Sequence, residues 1–234
     1  MRMSTEVPRL LLIETSSRAG WVAVAEGATT LEVRRMDEAR RQARDLSPAV
    51  GELLAARKWK PHDLNGVVVG VGPGSYTGLR VGVMSAKMLC YATGAALIAV
   101  ETFVALARQA PASALKVDVL ADAQQERVYV QSFGRDLDAE DLSARSPLAI
   151  RPLANWLSSR NVDAWVTGPG VDAHLGRLPA GLSLVEPELR QPRPESVLAV
   201  GLERYLAGQC ADVWTLEPVY LRPSAAEEQW RAKQ

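Results

Sequence analysis

The run Gly70-Val71-Gly72-Pro73-Gly74-Ser75-Tyr76-Thr77-Gly78-Leu79-Arg80 constrains this chain more than any other stretch. It follows an apolar segment, Val67 to Val71, and opens into a helix-like run reaching Cys90. A buried strand that breaks into a glycine-rich loop and a helix start is an α/β signature and a common way to hold phosphate. The familiar phosphate loops do not fit. No Gly-Lys-Ser/Thr closes the run, so it is not a Walker loop. A dinucleotide fingerprint begun at Gly70 puts Ser75 where its third glycine belongs, and one begun at Gly72 puts Thr77 there. A nucleophile elbow fails at Pro73, two residues before Ser75. Gly72, Pro73, Gly74, Ser75, Thr77 and Gly78 therefore read as a structural loop, a tight strand-to-helix turn.

Around this unit the order is strand (Leu10 to Ile13), strand (Trp21 to Ala25), strand (Leu31 to Arg34), and a charged helical stretch from Asp37 to Arg57. Strand Val67 to Val71, helix Leu79 to Ala92, strand Ala95 to Val100 and a helix start at Glu101-Thr102 follow. Within the charged stretch, Ser47-Pro48 is either an N-cap with proline at the first helical position or a kink in a longer helix. Short links favour an antiparallel meander, and its continuation as a parallel α/β unit is the pattern of a ribonuclease-H-like domain. After Ala110-Pro111 a weaker copy begins. Val117 to Ala121 and Arg127 to Phe133 read as paired strands, Asp136 to Ser146 as polar loop, Pro152 to Ser159 as a helix, Ala164 to Thr167 as a strand, and Glu195 to Leu206 as a last helix. The expectation is an α/β protein of two lobes, 1–108 and 109–234, each a mixed sheet flanked by helices. The last segment is free to return to the first lobe.

Lysine plus arginine equals aspartate plus glutamate at 27 each, so the formal net charge is zero. That excludes a whole-surface electrostatic grip on nucleic acid. The densest basic cluster, Arg34, Arg35, Arg40, Arg41 and Arg44, is interleaved with Asp37, Glu38 and Asp45 and reads as a solvated helix face. Leu10 to Ile13 is too short for a signal core or membrane span. Cys90 and Cys210 lie in apolar contexts and read as buried thiols of a reducing compartment, so a cytoplasmic location is expected.

This order, with the Gly72-to-Arg80 motif, resembles the bacterial TsaB (YeaZ) family over nearly the whole chain. The supporting matches are Glu101-Thr102, Asp122 with Glu126 and Val128-Tyr129, and Glu217-Pro218-Val219-Tyr220-Leu221-Arg222. The resemblance implies an actin-like, ribonuclease-H-like ATPase fold of the actin, sugar kinase and Hsp70 superfamily. It also implies a non-catalytic scaffold subunit in making tRNA threonylcarbamoyladenosine. Such a subunit pairs with a catalytic paralogue, TsaD, and a small ATPase, TsaE, dimerises when alone, and meets tRNA through the complex. ATP or ADP would enter only within that complex. The chain departs from the commoner family pattern at Glu14, usually aspartate, and at Gln42, often histidine.

The residues themselves disfavour catalysis. The two segments that would cradle phosphate in an actin-like ATPase are glycine-poor. Glu14-Thr15-Ser16-Ser17-Arg18 has no glycine before Gly20, and Asp122-Ala123-Gln124-Gln125-Glu126 has none. Only His62 and His174 are present, in unrelated loops, where a metal site needs imidazoles at turn spacing. Both read as surface turn residues. Asp122 with Glu126 offers an acid pair, but the adjacent Arg127 makes a structural ion pair or an exposed turn the favoured reading. No catalytic, cofactor or metal residue is assigned. The alternatives are a free-standing ATPase or small-molecule kinase of the same fold, or a protease-like regulator.

The helix after the loop is apolar nearly all round, so one side has to face something other than its own sheet. The expected partner interface comprises Leu79, Arg80, Val83, Met84, Lys87 and Cys90 here, with Val50, Leu53, Leu54 and Arg57 from the preceding helix. Burial of this face beneath the second lobe is the competing use.

Overall fold

A computed structural model of the chain describes residues 7–17, 20–36, 42–136 and 142–221. The first sheet is built from β1 (Arg9–Glu14), β2 (Trp21–Glu26), β3 (Thr29–Arg35), β4 (Gly66–Gly72) and β5 (Ala96–Glu101) in the order β3-β2-β1-β4-β5. β1 to β3 pair antiparallel and β1, β4 and β5 pair parallel, which is the meander-to-parallel arrangement of a ribonuclease-H-like sheet.

Strand periodicity explains why both faces are covered. Leu11, Ile13, Val22, Val24, Val67, Val69 and Leu97 point to one side, and Leu10, Leu12, Ala23, Ala25, Val68, Ile98 and Val100 to the other. Helices α1 (Gln42–Ala56) and α2 (Tyr76–Thr93) cover the first side. The second is covered by α3 (Thr102–Ala107) and by α6 (Pro194–Leu206), through Val197, Leu198 and Val200.

The second sheet repeats the scheme in reduced form. β6 (Lys116–Asp122) pairs antiparallel with β7 (Arg127–Arg135) and parallel with β10 (Trp165–Thr167). Two short strands, β8 (Leu142–Ala144) and β9 (Ala149–Pro152), add to β7. β8 corrects the expectation of a polar loop from Asp136 to Ser146, because a three-residue strand carries too little alternation to show. Helix α4 (Leu153–Ser159) buries Trp156, whose indole N–H donates to Asp118 at 2.9 Å, and α5 (Pro169–His174) follows β10.

Other boundaries also move. Helix α2 starts at Tyr76, because Ser75 caps it by accepting from the Gly78 N–H at 3.2 Å. Ser47-Pro48 lies inside a continuous α1. Arg34 and Arg35 stand on β3 rather than on a helix, while Arg40 and Arg41 lie outside the described residues. The last segment does return to the first lobe. Helix α6 belongs to the first lobe by packing, and the segment after it runs back along that lobe through Ala211 N–H to Leu97 O (2.7 Å) and Val219 N–H to Val71 O (2.8 Å).

Gly201 of α6 marks how closely that helix is seated, since a Cβ there would stand 2.5 Å from Val68 Cγ1 in the sheet. Alanine in place of glycine gains about 1 kcal/mol of helix propensity. Overpacking against a fully buried β-branched neighbour costs about 1–3 kcal/mol. Gly201→Ala should therefore lower the thermal midpoint. Gly51→Ala should raise it, because a Cβ at Gly51 in α1 meets nothing within 4 Å. Equal midpoints for the two variants in a calorimetric scan would contradict this packing.

Candidate functional site

The glycine-rich loop and the first hairpin close on each other, backbone to backbone. Ser75 N–H donates to Ser16 O at 2.6 Å, and a Cβ on Gly74 would stand 2.7 Å from Ser16 Cβ. Gly72 has φ +98° and precedes a cis peptide to Pro73; a Cβ there would meet Leu79 Cδ1 at 2.7 Å. A Cβ on Gly70 would stand 2.7 Å from Glu14 Cδ, so this glycine is needed to make room for an internal carboxyl. Gly82 of α2 does the same for Thr15, whose Cβ would be 3.3 Å from the added carbon.

Glu14 fills the space between these segments. It is 1% exposed, accepts from Ser16 N–H at 2.7 Å, and accepts from the Thr102 hydroxyl at 3.1 Å. Burial raises its pKa above the ordinary carboxyl value, opposed by the Ser16 and Thr102 hydrogen bonds. The glutamate is a buried pin joining β1 to the start of α3.

On α2 the expected interface divides in two. Leu79, Val83 and Cys90 face the sheet and are 1%, 3% and 3% exposed; Leu53 and Leu54 of α1 join the same core. These five assignments are corrected, because the side of each helix that carries them is the side the lobe consumes. Burial pushes the Cys90 thiol up to about 12. An arginine at Val83 would disrupt the lobe rather than test a contact. Val50 is half-buried against this core, and Arg57, also half-buried, donates to Leu31 O at 2.8 Å.

The outward face of α2 carries Arg80, Met84, Met88 and Tyr91, spaced by helical turns. Met84, Met88 and Tyr91 are 56%, 66% and 69% exposed. Trp214, from the returning C-terminal segment, is 73% exposed and meets the Tyr91 ring edge-on at 5.3 Å. Lys87 ties the segment down by donating to Leu216 O at 3.0 Å and Trp214 O at 3.3 Å. Arg80 stacks over Tyr76 at 4.4 Å and donates to the Tyr220 hydroxyl at 3.3 Å. Burial raises the Tyr220 pKa, opposed by Arg80. Met88 and Tyr91 were not among the expected interface residues, although their spacing from Met84 at helical turns carried the signal. Trp214 carried no such signal, since only the return of the chain brings it there.

At the second hairpin Asp122 and Glu126 stand in an exposed turn, one of the two expected readings, and only the ion pairing differs. Glu126 pairs with Arg177 at 2.7 Å rather than with Arg127. Asp122 faces His174, whose side chain is 10% exposed and so is no surface turn residue. Gln124, Gln125 and Glu126 have φ of 60°, 52° and 59°, a left-handed turn that orients the hairpin without glycine. His62 sits exposed in a 3-10 turn, as expected, and Cys210 is exposed, which corrects its reading as buried. Among the described residues no cluster of three or more His, Cys, Asp or Glu could hold a metal, and no helix is long and apolar enough to cross a membrane.

The fold and this face define an α/β protein of actin-like, ribonuclease-H-like architecture with an exposed apolar helix stripe. The family model described as "TsaD: tRNA N6-adenosine threonylcarbamoyltransferase" matches residues 37–145. The tRNA threonylcarbamoyladenosine biosynthesis protein TsaB of Bacillus subtilis is 30% identical over 197 residues, 78% of this chain and 80% of that protein. Its Escherichia coli namesake is 28% identical over 93% of this chain and 96% of that protein. YeaZ from Pseudomonas aeruginosa superposes with a TM-score of 0.75 at 22% identity, covering 92% of this chain and 100% of that one. The chain belongs to the TsaB family.

Glu14 gives the site a pH signature. With its folded pKa raised, the folded chain holds this proton more tightly than the unfolded chain does. Its contribution is full below the unfolded pKa and is lost as pH rises through the folded one. Glu14→Gln keeps an acceptor for Ser16 N–H and a donor for Thr102, and removes the titration. Urea unfolding between pH 4 and 8 should show wild type losing stability relative to the variant as pH rises. A constant difference across that range would contradict the buried-carboxyl assignment.

Proposed function

We propose that this chain is the non-catalytic partner subunit in tRNA threonylcarbamoyladenosine biosynthesis, pairing with a TsaD-like threonylcarbamoyltransferase through the outer face of α2. The observation that carries the reading is the exposed stripe of Met84, Met88 and Tyr91 with Trp214. Two aromatics and two flexible thioethers make a surface suited to burial against another helix. The same face would pair with a second copy when the paralogue is absent, so the homodimer competes with the working complex. A TsaE-like ATPase docks on the pair, tRNA is met through it, and any ATP or ADP is bound within it. The setting is the cytoplasm.

The loops support a non-catalytic role. Phosphate needs backbone N–H groups free to point at it. Here the Ser75 N–H is spent on Ser16 O, and Glu14 fills the adjoining space with a carboxyl group.

Reconstitution with the TsaD-like and TsaE-like proteins, activated threonylcarbamoyl donor and tRNA tests the role. Modification that proceeds equally well without this chain would overturn it. The double variant Met84→Glu, Met88→Glu tests the surface. Both side chains are exposed, so the monomer should keep its thermal midpoint while affinity for the paralogue falls at least about tenfold in titration calorimetry. Unchanged affinity would move the interface elsewhere.

A further inference from the structure

Two lobes joined by two chain crossings are expected to move relative to one another unless a large apolar contact or a set of clamps prevents it. Here the outgoing crossing follows α3 at Arg108 and Gln109, and the returning one runs from Leu189 to Arg193 into α6. Gln109 lies where they meet and uses both ends of its amide. Its Nε2 donates to Leu189 O at 2.6 Å and Gln191 O at 2.9 Å. Its Oε1 accepts from Arg193 N–H at 2.8 Å and from the Ser196 hydroxyl at 2.6 Å. Two donors and one doubly used acceptor are the full capacity of the group.

Neighbouring groups fasten the same point to both lobes. Trp21, on β2 of the first sheet, donates its indole N–H to Pro192 O at 2.9 Å. Arg190, 7% exposed, holds the crossing to the second lobe through Val185 O at 2.7 Å and Asp172 at 2.8 Å. Arg108 pairs with both carboxylate oxygens of Glu203 on α6 at 2.7 Å. Beneath the clamp the lobes share a core. Phe103, Leu106 and Ala107 of α3 are buried with Val117, Val119 and Phe133 of the second sheet.

We infer that the crossing is a lock rather than a hinge: Gln109, set over the shared α3 core, holds the two lobes as one rigid body. This goes beyond the proposed role and does not depend on it. Its consequence is that surfaces on the two lobes keep a fixed separation. A sliding or closing mechanism would require four hydrogen bonds at one side chain to break together.

The test is a distance distribution between spin labels on the two lobes, at Ala55→Cys on α1 and Ala154→Cys on α4, in a Cys210→Ser background. The wild-type clamp should give one narrow distance. Gln109→Ala should broaden it or add a second population, and should speed amide exchange at Arg193 roughly tenfold. Trp21→Phe, which removes the indole N–H donor together with part of the ring, should speed that exchange by less. A broad or two-state distribution in the protein with Gln109 intact overturns the inference. So does a narrow distance with unchanged Arg193 exchange in Gln109→Ala. If Gln109→Ala fails to fold, the distribution with Gln109 intact still decides.

Discussion

The burial of the first sheet on both faces governs the rest of the molecule. β1 and β4 are apolar at successive positions, so neither face can be left to water, and helices have to cover both. Helices α1 and α2 supply one cover directly from the chain. The other needs more than the short α3 provides, and α6 returns from beyond the second lobe to complete it. That return sets the two crossings between the lobes. It also carries the C-terminal segment back across the first lobe, where it reaches α2. The composition of the exposed face is thus a consequence of how the sheet is covered.

The same constraint separates the two sides of α2. The sequence pattern is apolar nearly all round, and such a pattern states that two sides are used without saying which residue serves which. Leu79, Val83 and Cys90 go inward because Gly82, on their side, lets the helix settle against Thr15. Met84, Met88 and Tyr91 are left outward on the opposite side. Any variant meant to probe a contact has to respect that division.

The first half of the chain was legible because its strands are long, apolar and closely spaced, and its loop has few alternatives. The order β1 to β5 and the turn at Gly72 to Gly78 follow from local residues, while the cap at Ser75 that starts α2 three residues early went unread. The second half was less legible. β8 and β9 are short strands that depend on β7 for pairing, and the partners of Glu126, Asp122 and His174 come from distant segments. Exposure of Cys210 and Trp214 is likewise set by tertiary path, because the mixed polar and apolar residues from Gly208 to Glu217 carry no clear burial period.

Glu14 shows how far a local substitution can reach. A carboxyl at the end of the first strand would suit a metal ion if it projected into open space. Here the longer glutamate side chain folds back, takes its hydrogen bonds from Ser16 and Thr102, and lies against Gly70. Gly70 and Gly74 then serve close packing of the loop rather than access to it. Closing the loop also fixes the N-terminus of α2, since Ser75 both caps the helix and donates to Ser16. A fixed helix start determines where Met84 and Met88 project. The features that close the glycine-rich loop are therefore the ones that hold the exposed stripe in place, and opening that loop to a ligand would disturb that stripe.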